Sequence, residues 1–449
     1  MALSPNSKVR PQAGDAPLSA FQLMIVGLCV LINVCDGLDT TAIAYAAPAL
    51  IKDWNLPAQT LGIILSSGSA GMMVGALVIA PLADKLGRRP MILAGVLSST
   101  ISMFGLALSQ SVEMLILFRF IAGMAIGSLL PSLSVMVVEY SNEARGNFFI
   151  AMVHMGFAFG AALGGALGAS LLGDYGWRAI FLAAGFITGG VAAVTFFFLP
   201  ESIYFLTTKQ PANALARSNK VLKKLRLPEM DSLPDKPEEP AQRAPIAVGA
   251  ILANPFLFAT LFLWLAAFLR YFISYFLTGW KPQVLVMAGF TAEKAAAVGI
   301  VTSLAASVGV FGMGLLTTKV RPPYATAITF TLAAISLVGF GIFSDPYALV
   351  GFAILSMFAI ESTFTGIMIT AARLYPDSMR ATGIGYAVGI GRFGAILGPY
   401  FGGVVIGLGF ERSTYLPLYA GLAILGAVAI IRVGMIAAKW TRSPAPQGA

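Results

Sequence analysis

Charged residues are scarce in this 449-residue sequence, since Asp, Glu, Lys and Arg together make up 11% of it. An average soluble domain carries about 25%. The charges are also bunched between long apolar runs, whereas a soluble chain of this length needs charge spread over its surface. This scarcity excludes an ordinary soluble enzyme and indicates a polytopic membrane protein.

Residues that hold metals are equally few, with two Cys and one His. Cys29 and Cys35 lie on different faces of one predicted helix, so they can neither form a disulfide with each other nor form a metal site. No Walker loop, HExxH motif or CxxC pair occurs in the sequence. We therefore expect no enzymatic activity, no metal and no cofactor.

Apolar runs near the roughly 20 residues that cross a bilayer as a helix occur twelve times. The predicted spans are 21–50, 60–82, 91–109, 113–137, 148–171, 179–199, 256–279, 294–316, 324–343, 347–369, 383–408 and 414–437. No long segment alternates apolar with polar residues, as the strands of an outer-membrane barrel do. The predicted fold class is therefore all-α, with twelve transmembrane helices.

Lys and Arg are distributed unequally between alternate loops. With the N-terminus placed in the cytoplasm, 21 of the 29 fall on the cytoplasmic side, five on the other side and three inside spans. Lys281 is among the five. The positive-inside rule thus predicts a cytoplasmic-membrane protein with both termini in the cytoplasm. The net charge of +9 then reflects loop orientation and attraction to anionic lipid, not nucleic-acid binding.

Residues 200–255 interrupt the apolar pattern, because they carry 14 of the 49 charged residues and eight of the 25 prolines. We expect a cytoplasmic linker with an amphipathic helix around 212–225, followed by a disordered Pro/Glu stretch. The linker would join an N-terminal six-helix bundle, residues 1–199, to a C-terminal one, residues 256–449.

An internal repeat supports this division. Tyr140 and Arg145 stand five apart before a Gly-rich span, and Tyr375 and Arg380 repeat that spacing 235 residues later. Two pseudo-symmetric six-helix bundles joined by a basic linker are typical of secondary transporters.

Several motifs carry a family resemblance. LADKLGRRP at Leu82–Pro90 resembles the signature loop of the major facilitator superfamily, with Ala80 where a Gly usually leads. RFIAGMAIG from Arg119 and PES at Pro200–Ser202 also match superfamily elements. The resemblance implies the major facilitator fold, in which the first, fourth, seventh and tenth spans line a central cavity.

A narrower resemblance is to the aromatic acid:proton symporter family. It rests on DGLDTTAIAYAAPAL at Asp36–Leu50, ARLYPDSMRATGIG at Ala372–Gly385 and GIGRFGAILG at Gly389–Gly398. The resemblance implies uptake of benzoate-like or hydroxybenzoate-like acids, or related ring-cleavage acids, together with protons. It also implies that Arg380 and Arg392 belong to motifs essential for transport.

Asp36 and Asp39 are ionisable groups inside the first span, where a charge is costly unless it faces a cavity or a partner. Three residues apart on a helix, their carboxyl groups project from the same face. Two such acids cannot both ionise easily, so one can exchange a proton near neutral pH. We assign them to proton coupling. Alternatively, Gly37 breaks the helix and one Asp caps the following segment.

Arg392 in the eleventh span is a candidate contact for a carboxylate, because a guanidinium forms two parallel hydrogen bonds and stays charged when desolvated. Gly391 and Gly394 would keep the backbone slim enough for a ligand to approach. The alternative is a fixed ion pair with an acid on a neighbouring helix, such as Glu361.

The spans expected to line the cavity carry further charges within or at the edge of the membrane. Arg270 precedes several aromatic residues, which could form flat apolar walls beside a cation. Arg270 either pairs with Glu361 or gives a second anion contact that favours a dianionic acid such as a muconate. The predicted substrate-binding set is Arg392, Arg270, Tyr271, Tyr275, Glu361 and Arg119, with Phe272 and Phe276 also near Arg270.

Charged residues of the predicted cytoplasmic loops are expected to form a gate, in which charge pairs between the two bundles hold one face closed. The predicted gating set is Asp84, Gly87, Arg88, Glu139, Arg145 and Arg380. Glycines 156, 160 and 164 in the fifth span are expected to allow close contact between the bundles.

The sequence thus predicts proton-coupled uptake of an aromatic carboxylic acid or related ring-cleavage acid by a monomer, with the proton gradient as driving force. Its expected partners are the small-molecule carboxylate, protons and the lipid bilayer. A symporter of dicarboxylates such as muconate and a major facilitator exporter of organic anions are the alternatives.

Overall fold

The computed structural model describes residues 19–141, 146–235 and 248–440. Within these ranges every regular element is helical, and twelve helices are long and apolar enough to cross a membrane. We number them α1 (Ala20–Trp54), α2 (Ala58–Leu86), α3 (Arg88–Ala107), α4 (Val112–Tyr140), α5 (Gly146–Tyr175), α6 (Trp177–Phe198), α7 (Leu257–Met287), α8 (Ala292–Lys319), α9 (Pro322–Ile342), α10 (Pro346–Leu374), α11 (Asp377–Gly407) and α12 (Arg412–Trp440). The predicted all-α class and the twelve spans are confirmed.

Short polar residues define where several of these helices begin. The side chains of Ser111, Thr291 and Asp345 accept hydrogen bonds from backbone N–H groups in the first turns of α4, α8 and α10. These N–H groups have no carbonyl partner inside the helix, so such caps stabilise the helix start. Glycines with positive φ, Gly176 and Gly409, form the tight turns before α6 and α12.

The seventh helix is longer than predicted. Its apolar residues continue beyond 279, and α7 runs to Met287 with Pro282 inside it. Lys281 is therefore part of a span and only 4% exposed. The assignment of Lys281 to a loop was wrong. A Lys–Pro pair that follows an apolar run already long enough to cross the bilayer looks like the start of a loop.

The region between α6 and α7 contains the predicted amphipathic helix, which spans Ala214–Leu225 and follows a shorter helix at Ile203–Lys209. Val221, Leu222 and Leu225 pack into a core cluster with residues of α1 and α4. Part of the predicted Pro/Glu stretch lies outside the described residues.

The chain divides into two compact units. Unit 1 comprises Met1–Ala42, Ala70–Gly164 and Arg178–Ala241. Unit 2 comprises Ile43–Ser69, Gly165–Trp177 and Gln242–Ala449. Three helices, α1, α2 and α5, contribute to both units. The division into bundles at 1–199 and 256–449 stays a prediction.

Candidate functional site

The two acids of α1 lie in a continuous helix inside unit 1. Asp36 is 2% exposed and Asp39 is fully buried. The helix passes through Gly37 without a break, so the alternative in which an Asp caps a new segment is wrong. Gly37 instead lets α5 approach, since an added Cβ would lie 1.9 Å from the carbonyl oxygen of Phe157.

Side chains from three other helices surround Asp39. Its carboxyl group accepts hydrogen bonds from the hydroxyls of Ser99 on α3 and, at 3.4 Å, Thr188 on α6. Arg119 of α4 is buried and donates to the backbone carbonyl of Asp39 at 2.9 Å. Arg119 thus lies with the acids of unit 1. Ser99 and Thr188 were not predicted, because single hydroxyl residues in apolar spans give no sequence signal of their own.

Asp36 is less well satisfied than Asp39. Its Oδ2 atom is buried and has no hydrogen-bond partner in the described part of the chain. Burying an ionised carboxylate without donors is costly, whereas a protonated carboxyl can be buried at a smaller cost. The arrangement around Asp36 therefore suits a group that binds and releases a proton.

A second charged cluster lies in unit 2. Arg270 of α7 forms an ion pair with Glu361 of α10, and the hydroxyl of Ser274 donates to the other carboxylate oxygen. The guanidinium also lies over the rings of Tyr271 and Phe364, 4.5 and 4.9 Å from their centroids. Two roles were predicted for Arg270, pairing with Glu361 or a second anion contact, and the structure has the pairing with Glu361.

The aromatic residues after Arg270 separate into two groups. Tyr271 and Tyr275 stack on each other, with ring centroids 6.0 Å apart, and both lie near Arg392. Phe272 and Phe276 instead stack on Tyr419 of α12. Phe272 and Phe276 are therefore part of the helix packing, whereas the two tyrosines share the surroundings of the arginines.

Arg392 is on α11, which lies against α7. An added Cβ on Gly391 would lie 2.4 Å from the Tyr271 ring, and one on Gly394 would lie 2.3 Å from the carbonyl oxygen of Phe268. The expectation that these glycines leave room for a ligand was wrong, because α7 takes that room. Arg392 is thus held beside Tyr271 by close packing of the two helices.

Lys281 is a buried cation that sequence reasoning missed. It lies on α7 in unit 2, and its Nζ donates to the hydroxyl of Thr302 on α8. The signal that could have found it is the apolar VLVM segment after Pro282, which extends the span past the lysine.

Four of the predicted gating residues meet at one end of unit 1. Arg88 pairs with Asp84 at 2.9 Å and lies 3.9 Å from Glu139. Gly87 has φ of +103°, and an added Cβ would lie 2.6 Å from Oε2 of Glu201. All of these residues belong to unit 1.

Glu201 organises this cluster although it was not in the predicted set. Its Oε1 accepts hydrogen bonds from the backbone N–H groups of Arg88, Arg89 and Ser202, at 2.9 to 3.0 Å. A carboxylate at the first turn of α3 satisfies N–H groups that have no helical partner and complements the helix dipole. The PES motif is the sequence signal that locates Glu201.

The other predicted gating features lie elsewhere. Arg145 lies outside the described residues. Arg380 is exposed and pairs with Asp377 one turn earlier on α11. Gly156 and Gly160 pack against carbonyl groups of Val30 and Val34 on α1, so they join helices within unit 1 rather than the two bundles.

Unit 2 also contains a close junction, which we call the seam, between α2 and α11. An added Cβ on Gly403 would lie 2.7 Å from the Ala58 carbonyl oxygen and 3.0 Å from Cα of Gly62. The Ser66 hydroxyl donates to the carbonyl of Ile396 at 2.7 Å.

The seam continues between α1 and α8. The Tyr45 ring packs so closely on Gly299 that an added Cβ would lie 2.3 Å from it. Gly168 of α5 likewise packs on Ala296 of α8. The ends of α1, α2 and α5 that belong to unit 2 thus pack against α8 and α11 at distances that only glycine permits at these positions.

The chain matches a known protein family over more than half of its length. Residues 29–357 match the family model described as the Major Facilitator Superfamily. The chain is 30% identical to the gallate transporter of Pseudomonas putida, with 95% of each chain covered. It is 31% identical to a 4-hydroxybenzoate transporter of Pseudomonas aeruginosa, with 94% of each covered. The family and these relatives are named as transporters, not enzymes.

The fold agrees with that of a solved transporter. The crystal structure of a D-xylose–proton symporter has a TM-score of 0.70 and 14% sequence identity, and the match covers 92% of this chain and 97% of that one. Such a likeness concerns the fold.

Proposed function

Since this chain belongs to the major facilitator superfamily, we propose that it carries an aromatic carboxylate into the cytoplasm together with protons. Transport occurs by alternating access across the cytoplasmic membrane, with both termini in the cytoplasm. The names of the gallate and 4-hydroxybenzoate relatives support an aromatic acid as substrate. The distribution of Lys and Arg supports the orientation.

The observation that carries the proposal is the buried acid pair of α1. A proton from outside binds at Asp36 or Asp39 and lowers the cost of holding an anionic substrate within the membrane. Asp39 is bonded to α3 and α6 and, through its backbone, to Arg119 of α4, so a change in its charge acts on four helices at once. Proton binding can thereby bias the conformation of the protein.

The substrate carboxylate binds Arg392, beside the stacked rings of Tyr271 and Tyr275. A guanidinium provides directed hydrogen bonds to a carboxylate, and aromatic faces contact the flat ring of the acid. The Arg270–Glu361 pair stabilises the structure of this region, because the two residues are already joined in an ion pair. The cluster around Arg88 and Glu201 acts in the cytoplasmic gate.

The decisive experiment is uptake into proteoliposomes with an imposed proton gradient. One radiolabelled acid, 4-hydroxybenzoate, is competed with benzoate, gallate, gentisate, vanillate and muconate. Wild-type protein should accumulate the labelled acid above equilibrium, and aromatic monocarboxylates should compete more strongly than muconate. Asp36→Asn and Asp39→Asn should lose accumulation, whereas Asp53→Asn, an exposed acid of the same helix, should retain it.

The direction of transport is read from the external pH. Addition of substrate to energy-depleted cells that contain the protein should make the medium more alkaline, because protons enter with the acid. Acidification would support an exporter that exchanges organic anions for protons. Unchanged accumulation by both Asp variants would contradict the assigned coupling site.

A further inference from the structure

Lys281 is the only lysine that is buried in the described part of the chain. Its one hydrogen bond goes to the Thr302 hydroxyl, and no carboxylate of the described residues lies within ion-pair distance of its ammonium. A buried ammonium without a counter-ion is destabilising, and ionisable groups inside spans therefore mark functional sites.

Glu361, the acid whose charge acts on Lys281, is already engaged. Its two oxygens accept hydrogen bonds from Arg270 and Ser274. An ammonium has three N–H donors, of which Thr302 takes one. Lys281 thus retains N–H donors and has no carboxylate of the described residues bound to it, a combination that a carboxylate ligand satisfies.

The position of Lys281 separates it from Arg392. The helices α7 and α11 are parallel, since Gly391 packs on Tyr271 while Gly402 packs on Phe276 and Trp280. Lys281 follows Tyr271 by ten residues, about 15 Å along the helix axis. Lys281 therefore lies nearer the C-terminal end of α7 than the residues that pack beside Arg392.

The elements that cover Lys281 belong to the seam. Thr302 also donates to the carbonyl of Gly299, on which Tyr45 packs. Separation of α1 from α8 would therefore uncover the turn of α8 that holds the partner of Lys281.

We propose that Lys281 and Thr302 form an outer binding station, which captures the carboxylate of the incoming aromatic acid before it moves on to Arg392. In the proposed orientation α7 starts at the cytoplasmic face, so Lys281 lies toward the outer face. The inference rests on the proposed function and adds a second, earlier site to it.

The first test compares transport in the two directions. Lys281→Gln should raise the KM for uptake from outside by about tenfold, the loss of one charged hydrogen bond, with little change in kcat. The KM for efflux of preloaded acid should stay unchanged, and Lys281→Arg should restore uptake. Lys294→Gln removes an exposed charge from the first turn of α8 and serves as the matched control.

The second test measures ligand binding without transport. Cys29 and Cys35 are the only two cysteines and both are buried, so a Lys281→Cys variant in a Cys29→Ala, Cys35→Ala background carries one reporter thiol. A membrane-impermeant trimethylammonium methanethiosulfonate should label it from outside, and saturating 4-hydroxybenzoate should slow labelling. The aminoethyl reagent, which restores an ammonium, should lower the KM for uptake again.

The possible failures are distinguishable. If wild-type protein takes up 4-hydroxybenzoate but the acid does not protect the reporter thiol of the Lys281→Cys variant from labelling, the outer station is overturned and the proposed function stands. An equal rise of KM in both directions would also overturn the station, because it would indicate a general structural effect. If wild-type protein transports no aromatic acid, both proposals fall.

Discussion

The acid pair of α1 is buried and the Arg270–Glu361 pair of unit 2 is partly buried, with the Glu361 side chain 20% exposed, and their acids are satisfied to different degrees. Glu361 accepts from Arg270 and Ser274, one donor for each oxygen. Asp36 has an oxygen without any donor in the described residues. Arg119, the cation near the acid pair, donates to the backbone of Asp39 rather than to a carboxylate.

This difference separates a structural acid from one suited to proton exchange. A carboxylate that a guanidinium holds must stay ionised, since its protonation would leave the cation uncompensated. An acid with missing donors can change its protonation state without breaking an ion pair. Burial alone therefore does not separate the two kinds of acid, whereas the presence or absence of a cation bound to the carboxylate does.

The largest expected effect comes from removing the charge at each acid. Asp39→Asn should abolish accumulation against a gradient while substrate exchange between the two sides continues, because exchange needs no net proton movement. Glu361→Gln should reduce accumulation and exchange in parallel. Both activities are measured in the same proteoliposome preparation, and a parallel loss in Asp39→Asn would remove the distinction between the two acids.

The next effect concerns stability. Glu361→Gln should lower the free energy of unfolding by about 3–5 kcal/mol, because Arg270 is left as an uncompensated buried charge. The double variant Arg270→Met, Glu361→Met should recover most of the loss. Denaturant unfolding of the purified protein in detergent measures both. Asp84→Asn is the control, since the Asp84 carboxylate is exposed and such a pair contributes less than about 1 kcal/mol.

Substrate affinity should separate the two arginines of unit 2. Arg392→Ala should weaken binding of 4-hydroxybenzoate by about 10- to 100-fold, the loss of a charge-assisted pair of hydrogen bonds. Arg270→Met, Glu361→Met should bind nearly as tightly as wild type. Calorimetric titration of the purified variants measures both affinities. Undiminished affinity in Arg392→Ala would exclude direct contact between Arg392 and the substrate.

The smallest expected effect is a difference in stability between two variants, each of which lacks a serine that donates to one of these acids. Ser274→Ala should cost about 1–2 kcal/mol of stability, because Glu361 loses a hydrogen-bond donor while it stays paired with Arg270. Ser99→Ala should cost clearly less, since Asp39 can bind a proton instead. Unfolding of both variants is measured at neutral pH. Equal costs would indicate that Asp39 depends on its hydroxyl donor as much as Glu361 does.

Much of the fold was predictable from the sequence, because each span is an apolar run that a bilayer requires. The acid pair was predictable for the same reason, since an acid inside such a run needs an explanation. Lys281 was missed because the boundary of a span is set by packing against neighbouring helices, and Pro282 is tolerated inside α7.

Side-chain partners were harder to predict. Gly391 looks the same in a sequence whether it faces a ligand or another helix, and only the fold places Tyr271 beside it. Phe272 and Tyr271 are adjacent in the sequence, yet they face different helices. For Arg270, the sequence left both the pairing with Glu361 and a second anion contact open. The spacing of residues along two spans does not give the distance between those spans.

The division of α1 between the two units has a mechanical consequence. The helix is continuous over 35 residues, but it groups with unit 1 up to Ala42 and with unit 2 from Ile43 onward. Asp39 lies four residues before this point, about 6 Å along the axis, and Tyr45 of the seam lies just after it. A rigid helix can carry coupling between sites. Thus one unbroken helix holds both Asp39, the proposed coupling acid, and Tyr45 of the seam.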